Sequence, residues 1–104
     1  MNYLPVLKRI NKLMTAKGYT LTSVGDGEEL LKAEDALRVS ALYEWATQCD
    51  LGSMNYKDAS GNSVSYYLIY GNGIWETIAD YGWNTEQAEK DADEVSDDIY
   101  DFYQ

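Results

Sequence analysis

Three segments of the chain place apolar residues at the three- and four-residue spacing of an amphipathic helix. The first is YLPVLKRINKLMTAK, residues 3–17. Its apolar positions are Leu7, Ile10, Leu13 and Met14. Pro5 fits the first turn, where a helix makes no use of the missing N–H. Gly18 is a suitable stop, and Lys17 suits the negative end of the helix dipole.

The second and third helical patterns lie in the middle and at the end of the chain. Residues 33–48, AEDALRVSALYEWATQ, carry an apolar stripe of Ala33, Leu37, Ala41 (or Val39), Leu42 and Trp45. The third helix is predicted over residues 85–103, because Asn84 or Thr85 can cap its first turn. Its apolar line is Ala88, Ala92, Val95, Ile99, Phe102 and Tyr103.

The segments between these helices are typical of strands and tight turns. YTLTSV (19–24) runs into the turn Gly25-Asp26-Gly27 and predicts a hairpin with residues 28–32, unless EELL already begins the next helix. SMNYK, SVSYYLIY and IWETIADY are separated by turn sequences and predict a three-stranded antiparallel meander. SVSYYLIY is apolar or aromatic on both faces, which predicts a central strand covered on both sides.

The predicted architecture is α+β in a single domain, residues 1–104. It comprises an N-terminal helix, a β-hairpin, a helix, a three-stranded antiparallel meander and an acidic C-terminal helix. The chain contains no histidine, which excludes Ser-His-Asp and Cys-His catalysis and imidazole metal ligands. The single cysteine, Cys49, stands beside Asp50 and is expected to be an inert thiol in a reducing cytoplasm.

The charge of the chain is strongly negative and unevenly distributed. The formal net charge is −10, and residues 85–104 alone hold eight acids against one lysine. Residues 1–32 hold five basic and three acidic side chains, so the N-terminal segment is positive. An acidic protein repels nucleic acid and membrane surfaces and attracts basic protein patches. Direct nucleic-acid binding is not expected, and no apolar run approaches the roughly 20 residues of a membrane span. A cytoplasmic location in a host cell is predicted.

The acids of the C-terminal helix break a local rule of helix stability. Carboxylates near a helix C-terminus cost about 0.3–1 kcal/mol each when exposed, yet Asp97, Asp98 and Asp101 lie in the last two turns. Like charges four residues apart, such as Asp93 and Asp97, add to this cost. Several unfavourable charges without visible compensation often indicate a function. The alternative is that this face of the helix only increases solubility.

A row of fixed acids can imitate DNA phosphates and engage the Lys/Arg groove of a nucleic-acid-binding protein. The predicted partner-binding residues are Glu86, Glu89, Asp93, Glu94, Asp97, Asp98 and Asp101, with Tyr100 and Tyr103 between them. The chain also holds ten tyrosines and three tryptophans, more than a small core needs. Tyr and Trp are enriched in interface hot spots. Part of the cluster Tyr66, Tyr67, Tyr70, Trp75, Tyr81 and Trp83 is therefore expected on a protein-binding face.

Other chemistries find weaker support in the sequence. An EF-hand loop needs a glycine at its sixth position and a glutamate at its twelfth, and neither DADEVSDD nor DASGNSVSYY satisfies the pattern. No cofactor and no dedicated metal site are expected. Glu76 and Asp80 are four residues apart in the predicted last strand and would share one face of it. They could act as an acid–base pair, or they could be solvent-facing charges that discourage edge aggregation.

Residues 18–81 resemble small accessory proteins encoded by phages and other mobile elements. The resemblance is carried by GYTLTSVGDGEELLK (18–32), NYKDASGNSVSYYLIYGN (55–72) and ETIADY (76–81). It implies the α+β fold and supplies no catalytic residue. The acidic segment after Asn84 lies outside the shared pattern. Small acidic proteins of this origin resemble anti-defence inhibitors, which occupy the nucleic-acid sites of host restriction or CRISPR proteins.

The sequence therefore favours a non-enzymatic anti-defence inhibitor that binds a basic host nucleic-acid-binding protein through its acidic face. The alternative is a structural or regulatory accessory protein that forms a homodimer or larger homo-oligomer through an aromatic sheet surface. Salt separates the two hypotheses, because an acidic interface weakens steeply as ionic strength rises and an aromatic one does not. An enzyme that uses carboxylates is the third hypothesis.

Overall fold

The structure, a computed structural model, describes residues 3–25, 30–32, 51–71 and 73–104. Its elements are helix α1 (Leu4–Ala16), strands β1 (Thr20–Gly25), β2 (Leu30–Lys32), β3 (Leu51–Lys57) and β4 (Ser63–Ile69), a 3-10 helix (Ile74–Glu76), strand β5 (Ile78–Trp83) and helix α2 (Glu86–Tyr103). The strands form one antiparallel sheet in the order β2-β1-β3-β4-β5. The predicted α+β class is confirmed. The predicted helix over 33–48 and Cys49 lie outside the described residues.

Helices α1 and α2 contribute their apolar stripes to one core with the sheet. Alternate residues of the two neighbouring strands β3 and β4 are buried toward that core, because strand side chains point alternately to opposite faces. The sheet contributes Met54, Tyr56, Val64, Tyr66 and Leu68. The helices contribute Val6, Leu7, Ile10 and Met14 from α1 and Ala88, Ala92, Val95 and Ile99 from α2. Burying each of the larger aliphatic side chains contributes about 1.5–3 kcal/mol.

The end of α1 matches the stop predicted from the sequence. Gly18 adopts a φ of 94°, a left-handed conformation that glycine accepts without strain. The backbone N–H groups of Gly18 and Tyr19 donate to carbonyl oxygens of the last helical turn, at 3.0 and 3.1 Å. The chain therefore turns directly from α1 into β1.

Thr85 and Asn84 make different hydrogen bonds at the start of α2. Thr85 is the N-cap, and its Oγ1 accepts a hydrogen bond from the Ala88 N–H at 3.1 Å. Asn84 binds the loop between β3 and β4 instead: its Oδ1 accepts from the Ser63 N–H at 2.7 Å, and its Nδ2 donates to the Gly61 carbonyl at 2.8 Å. The entry direction of α2 is thus tied to the sheet.

The last meander strand begins later than predicted. A strand was expected from residue 74, but Ile74–Glu76 form a 3-10 helix and β5 starts at Ile78. The buried Thr77 explains the difference, because its hydroxyl donates to the Ile74 carbonyl at 2.6 Å and its N–H donates to the same oxygen at 3.1 Å. These local bonds replace a strand ladder.

The middle strand of the predicted meander is confirmed in its position but not in its burial. SVSYYLIY was expected to be the central strand of the meander, covered on both faces. As β4 it does lie between β3 and β5, while β3 is the middle strand of the whole five-stranded sheet. Burial alternates along β4, and Tyr67 remains 50% exposed between the buried Tyr66 and Leu68. Aromatic residues on both faces of β4 therefore did not mean that both faces are buried.

The Tyr66 hydroxyl links the sheet to α2 inside the core. It donates to the Ala92 carbonyl oxygen at 3.1 Å and lies 3.6 Å from the Met14 sulfur. Burial, with smaller contributions from nearby tyrosines and aspartates, raises the pKa of Tyr66, so the group stays a donor at all physiological pH values.

We expect Tyr66→Phe to lower the free energy of unfolding by about 1 kcal/mol, the usual value of a buried neutral hydrogen bond. Urea unfolding monitored by circular dichroism measures the change. Tyr67→Phe is the matched control, because it makes the same chemical change on a half-exposed neighbour, and it should leave stability within about 0.5 kcal/mol of the wild type. Equal losses in both variants would contradict the role of the buried hydroxyl.

The loop between β3 and β4 is organised by the carboxylate of Asp58. Its Oδ1 accepts from the backbone N–H groups of Ser60 at 2.9 Å and Asn62 at 2.8 Å, and its Oδ2 accepts from the Asn62 side-chain amide at 2.8 Å. Gly61 provides the positive φ, 88°, that the turn requires. The side-chain hydrogen bond from Asn62, helped by backbone N–H donors, lowers the pKa of Asp58.

This lowered pKa predicts the sign of a pH effect on stability. The folded state favours the carboxylate, so the contribution of Asp58 is complete above the unfolded pKa, about 3.9, and is lost as pH falls through the lower folded value. Asp58→Asn should therefore be less stable than the wild type at neutral pH, and the gap should narrow as pH is lowered from about 5 toward 2. Urea unfolding across that range tests this, and a pH-independent gap would contradict it.

Candidate functional site

Helix α2 is oriented by the complete burial of its apolar stripe. Ala88, Ala92, Val95 and Ile99 are at most 1% exposed. With 3.6 residues per turn, this stripe fixes the direction of every other side chain on the helix. The acids consequently separate into a row facing α1 and a row facing away from the core.

The first row, which we call the inner acid row, consists of Asp91, Glu94 and Asp98. Arg9 Nε lies 2.7 Å from Asp98 Oδ1, and Lys17 Nζ forms an ion pair with Glu94. The Tyr19 hydroxyl donates to Asp91 at 2.8 Å. Later residues of α1 and its exit thus pair with earlier residues of α2, which means that the two helices run antiparallel. Burial and the contact with Asp91 raise the pKa of Tyr19, so it remains a donor.

The inner acid row corrects an expectation drawn from the sequence. The acids of this helix were described as lacking visible compensation, but Glu94 and Asp98 have cationic partners on the α1 side. Asp91, which was absent from the predicted site, also has a polar partner. Only the folded chain brings residues separated by more than 70 positions together. Part of the acidity of α2 therefore serves the fold.

Arg9 makes a second contact at the end of α2. Its guanidinium carbon lies 3.6 Å from the ring centroid of Phe102, in the geometry of a cation–π interaction. Phe102 was expected on the apolar line of the helix, but its side chain is 59% exposed. The prediction was wrong for Phe102, because the core contact continues from Ile99 to Tyr103 and the Phe102 ring covers an arginine rather than entering the core.

The second row, which we call the outer acid row, consists of Glu86, Asp93, Asp97 and Asp101. All four are exposed, and their spacing of seven, four and four residues keeps them on one side of the helix. Lys90 is also exposed and falls on the same side, four residues after Glu86. Within the described ranges, no basic side chain forms an ion pair with a member of this row.

The remaining predicted partner-binding residues lie at the margins of the outer acid row. Glu89 is half-buried. Tyr100 is 45% exposed, and its hydroxyl accepts from the Gln104 amide at 3.2 Å. Tyr103 is half-buried and packs against the core. The structure thus places Tyr100 near the solvent and makes Tyr103 mainly a packing residue.

The outer acid row touches the sheet through Asp93. Its carboxylate accepts a hydrogen bond from the Tyr81 hydroxyl on β5. This bond, with burial and the charges of Asp93 and Asp97, raises the pKa of Tyr81 to about 12. The Tyr81 ring lies 5.8 Å from the buried Tyr66 ring on one side and 5.8 Å from the Trp83 ring on the other. Trp83 is 45% exposed, so an aromatic surface adjoins the acids.

The tyrosines of the described residues divide between core and surface in a way that sequence alone did not show. Tyr3, Tyr19, Tyr56, Tyr66 and Tyr70 are buried in the core. Among the described residues, the exposed large aromatic side chains are Tyr67, Trp75, Trp83, Tyr100 and Phe102. Tyr81 and Trp83 belong to the aromatic cluster that was expected in part on a protein-binding face, but the sequence did not place them beside the acids of α2. Their i, i+2 spacing on an alternating strand was the signal that they share a face.

The alternative chemistries gain no geometric support. Glu76 lies in the 3-10 helix and Asp80 in β5, so the expectation that both share one strand face was wrong. The Asp80 carboxylate accepts the Tyr81 N–H at 2.8 Å. Over the part of the chain with a described structure, no group of three Cys, Asp or Glu side chains could hold a metal ion. Neither described helix has the length and apolar character needed to cross a membrane.

No protein-family model, curated protein or solved structure matches this chain. The resemblance to phage accessory proteins therefore stays a prediction from sequence. The geometry of α2 and β5 is the basis for a functional proposal.

The contact between Arg9 and Asp98 should contribute measurably to stability. Their side chains are 27% and 37% exposed, so a double-mutant cycle with alanine at both positions should give a coupling energy of about 0.3–1 kcal/mol, reduced by added salt. The control cycle pairs Arg9 with Asp97, the adjacent acid of the outer row, and should give a coupling near zero. Equal coupling energies in the two cycles would contradict a specific Arg9–Asp98 pair and indicate only a general attraction between Arg9 and the negative charge of α2.

Proposed function

We propose that this protein is a non-enzymatic accessory protein of a phage or mobile element that inhibits a host defence protein of the CRISPR or restriction type. The outer acid row would bind a basic nucleic-acid-binding surface and imitate DNA there, in the host cytoplasm. The observation that carries the proposal is the set of four exposed carboxylates on one side of α2, without a cationic partner in the described chain.

The rigidity of the outer acid row supports this proposal. Its helix is anchored by a buried stripe, a capped N-terminus and a loop contact, so the backbone that carries the carboxylates needs little further ordering on binding. A partner that contacts them would exchange counterions for fixed charges, as it does on DNA. Affinity should then fall steeply as salt rises.

The charge density of the row sets a limit on simple mimicry. Acids four residues apart on a helix are about 6 Å apart along the axis. One DNA strand presents a phosphate roughly every 3.4 Å. The outer acid row therefore has about half the linear charge density of one strand. Contacts other than charge, such as those of the exposed aromatic residues, would have to supply the rest of the binding energy.

The alternative function, a homodimer or larger homo-oligomer, is favoured by the sheet face opposite the helices. Tyr67 is 50% exposed and Leu51 is 54% exposed there, and Leu51 is paired with Ile69 in the register of β3 and β4. Pairing through the β5 edge is disfavoured, because the Asp80 carboxylate already occupies the Tyr81 N–H. An oligomer would therefore form through the face of the sheet.

The proposed function predicts a partner that is captured at low salt and released by DNA. The wild type, immobilised in host lysate at roughly 0.1 M salt, should retain a nucleic-acid-binding protein and lose it at roughly 0.5 M salt or on addition of duplex DNA. Replacing Asp97 and Asp101 with Asn should weaken retention about tenfold, since two charge contacts are removed.

The matched control replaces Glu76 with Gln and Asp80 with Asn, which removes the same amount of charge from another surface. This control should retain the partner as the wild type does. A partner retained equally by both double variants would contradict binding through the outer acid row. A wild-type chain that instead self-associates at both salt concentrations, and loses this with Leu51→Ser, would favour the homo-oligomer.

A further inference from the structure

One corner of the molecule combines an exposed aromatic ring with a fixed carboxylate. We call Trp83, Tyr81 and Asp93 the aromatic–acid corner. Trp83 is 45% exposed, and its ring centroid lies 5.8 Å from that of Tyr81, with the planes at 49°. The Tyr81 hydroxyl in turn donates to Asp93 Oδ1. The corner therefore joins the outer acid row to the surface of β5.

The aromatic–acid corner is held in place before any partner arrives. The Tyr81 ring packs 5.8 Å from the ring of Tyr66, whose hydroxyl is bonded to the backbone of α2. The hydrogen bond from Tyr81 orients the carboxylate of Asp93, and no hydrogen bond from the described residues reaches the second oxygen, Oδ2. Preorganisation of this kind reduces the entropy lost on binding. The corner thus offers a flat apolar ring and an available acceptor oxygen together.

The chemistry of the corner suits an arginine side chain. A guanidinium is planar, stacks on aromatic faces and donates several hydrogen bonds to a carboxylate, whereas a lysine ammonium is compact and strongly hydrated. Tryptophan gives the strongest cation–π attraction of the aromatic side chains. The described residues contain an example of this arrangement, because the Arg9 guanidinium lies against the Phe102 ring and the Asp98 carboxylate.

We propose that the aromatic–acid corner binds an arginine side chain of the basic partner, and so gives the acidic surface a preference for arginine over lysine. This inference rests on the proposed function and names the chemistry of its anchor point. It would also compensate for the low charge density of the outer acid row, because a stacked and hydrogen-bonded arginine adds binding energy that charge alone does not supply. The similar pair at Phe102 and Asp98 is already filled by Arg9.

The test compares two probes of equal charge, a capped eight-residue arginine peptide and a capped eight-residue lysine peptide, at roughly 0.1 M salt. The wild type should bind the arginine peptide about two- to fivefold more tightly than the lysine peptide, the range expected for one exposed cation–π contact. Trp83→Leu should reduce this ratio to near one without changing the affinity for the lysine peptide. Isothermal titration calorimetry measures both affinities.

Tyr67→Leu is the matched control, because it removes a half-exposed aromatic residue from the opposite face of the sheet. It should leave the arginine preference unchanged. Trp83→Phe keeps a ring and should retain part of the preference, which separates stacking from any loss of folding. Asp93→Asn should weaken both peptides, because it removes a charge while leaving an acceptor for Tyr81.

The possible results separate this inference from the proposed function on which it rests. Equal binding of the two peptides by the wild type, or a preference that survives in Trp83→Leu, overturns the arginine site and leaves charge-driven binding intact. Loss of the preference in Tyr67→Leu as well as Trp83→Leu also overturns it. If the wild type binds neither peptide at low salt, both the arginine site and the acidic binding surface are wrong.

Discussion

The contact between α2 and the rest of the core is the constraint on which the other features depend. Two of the four buried residues of α2, Ala88 and Ala92, are small, so the helix backbone lies close to the sheet. The Tyr66 hydroxyl can then reach the Ala92 carbonyl oxygen across the interface. A helix held by a buried stripe and by a directed hydrogen bond cannot rotate freely. The positions of all its carboxylates follow from this docking.

Docking in this orientation relieves part of the electrostatic repulsion within α2. The acidic C-terminal half of the helix lies beside the basic α1, whose Arg9, together with Lys17 just beyond α1, pairs with the inner acid row. Tyrosine hydroxyls on β5 and at the start of β1 add neutral donors to two further carboxylates. For Asp98, the unfavourable interaction with the helix dipole is offset by Arg9, a residue distant in sequence. The four acids of the outer row gain no cation from the described residues and remain exposed on the helix.

The same docking gives the surface a mixed chemical character. Because β5 leads directly into α2, its exposed Trp83 and half-buried Tyr81 adjoin the carboxylates. A surface with both rings and acids can discriminate among basic partners, whereas charge alone attracts any of them. The sheet face on the other side carries Tyr67 and Leu51, and beside Tyr67 it has a single acid of β5, Asp80, rather than a row of acids. The two faces of the molecule therefore differ in the kind of partner that each could accept.

The sequence by itself determined the local elements of this protein. The 3.6-residue periodicity located α1 and α2, and glycine-containing turns separated the strands, because these signals depend on neighbouring residues only. It also concentrated acids in the last helix. It did not reveal the 3-10 helix at Ile74–Glu76, where the Thr77 side chain competes with strand pairing. Tertiary structure alone decided which acids are neutralised, which aromatic rings are buried and which side chains share a surface. Those outcomes depend on contacts between residues far apart in the chain, and such contacts exist only after the helices dock on the sheet.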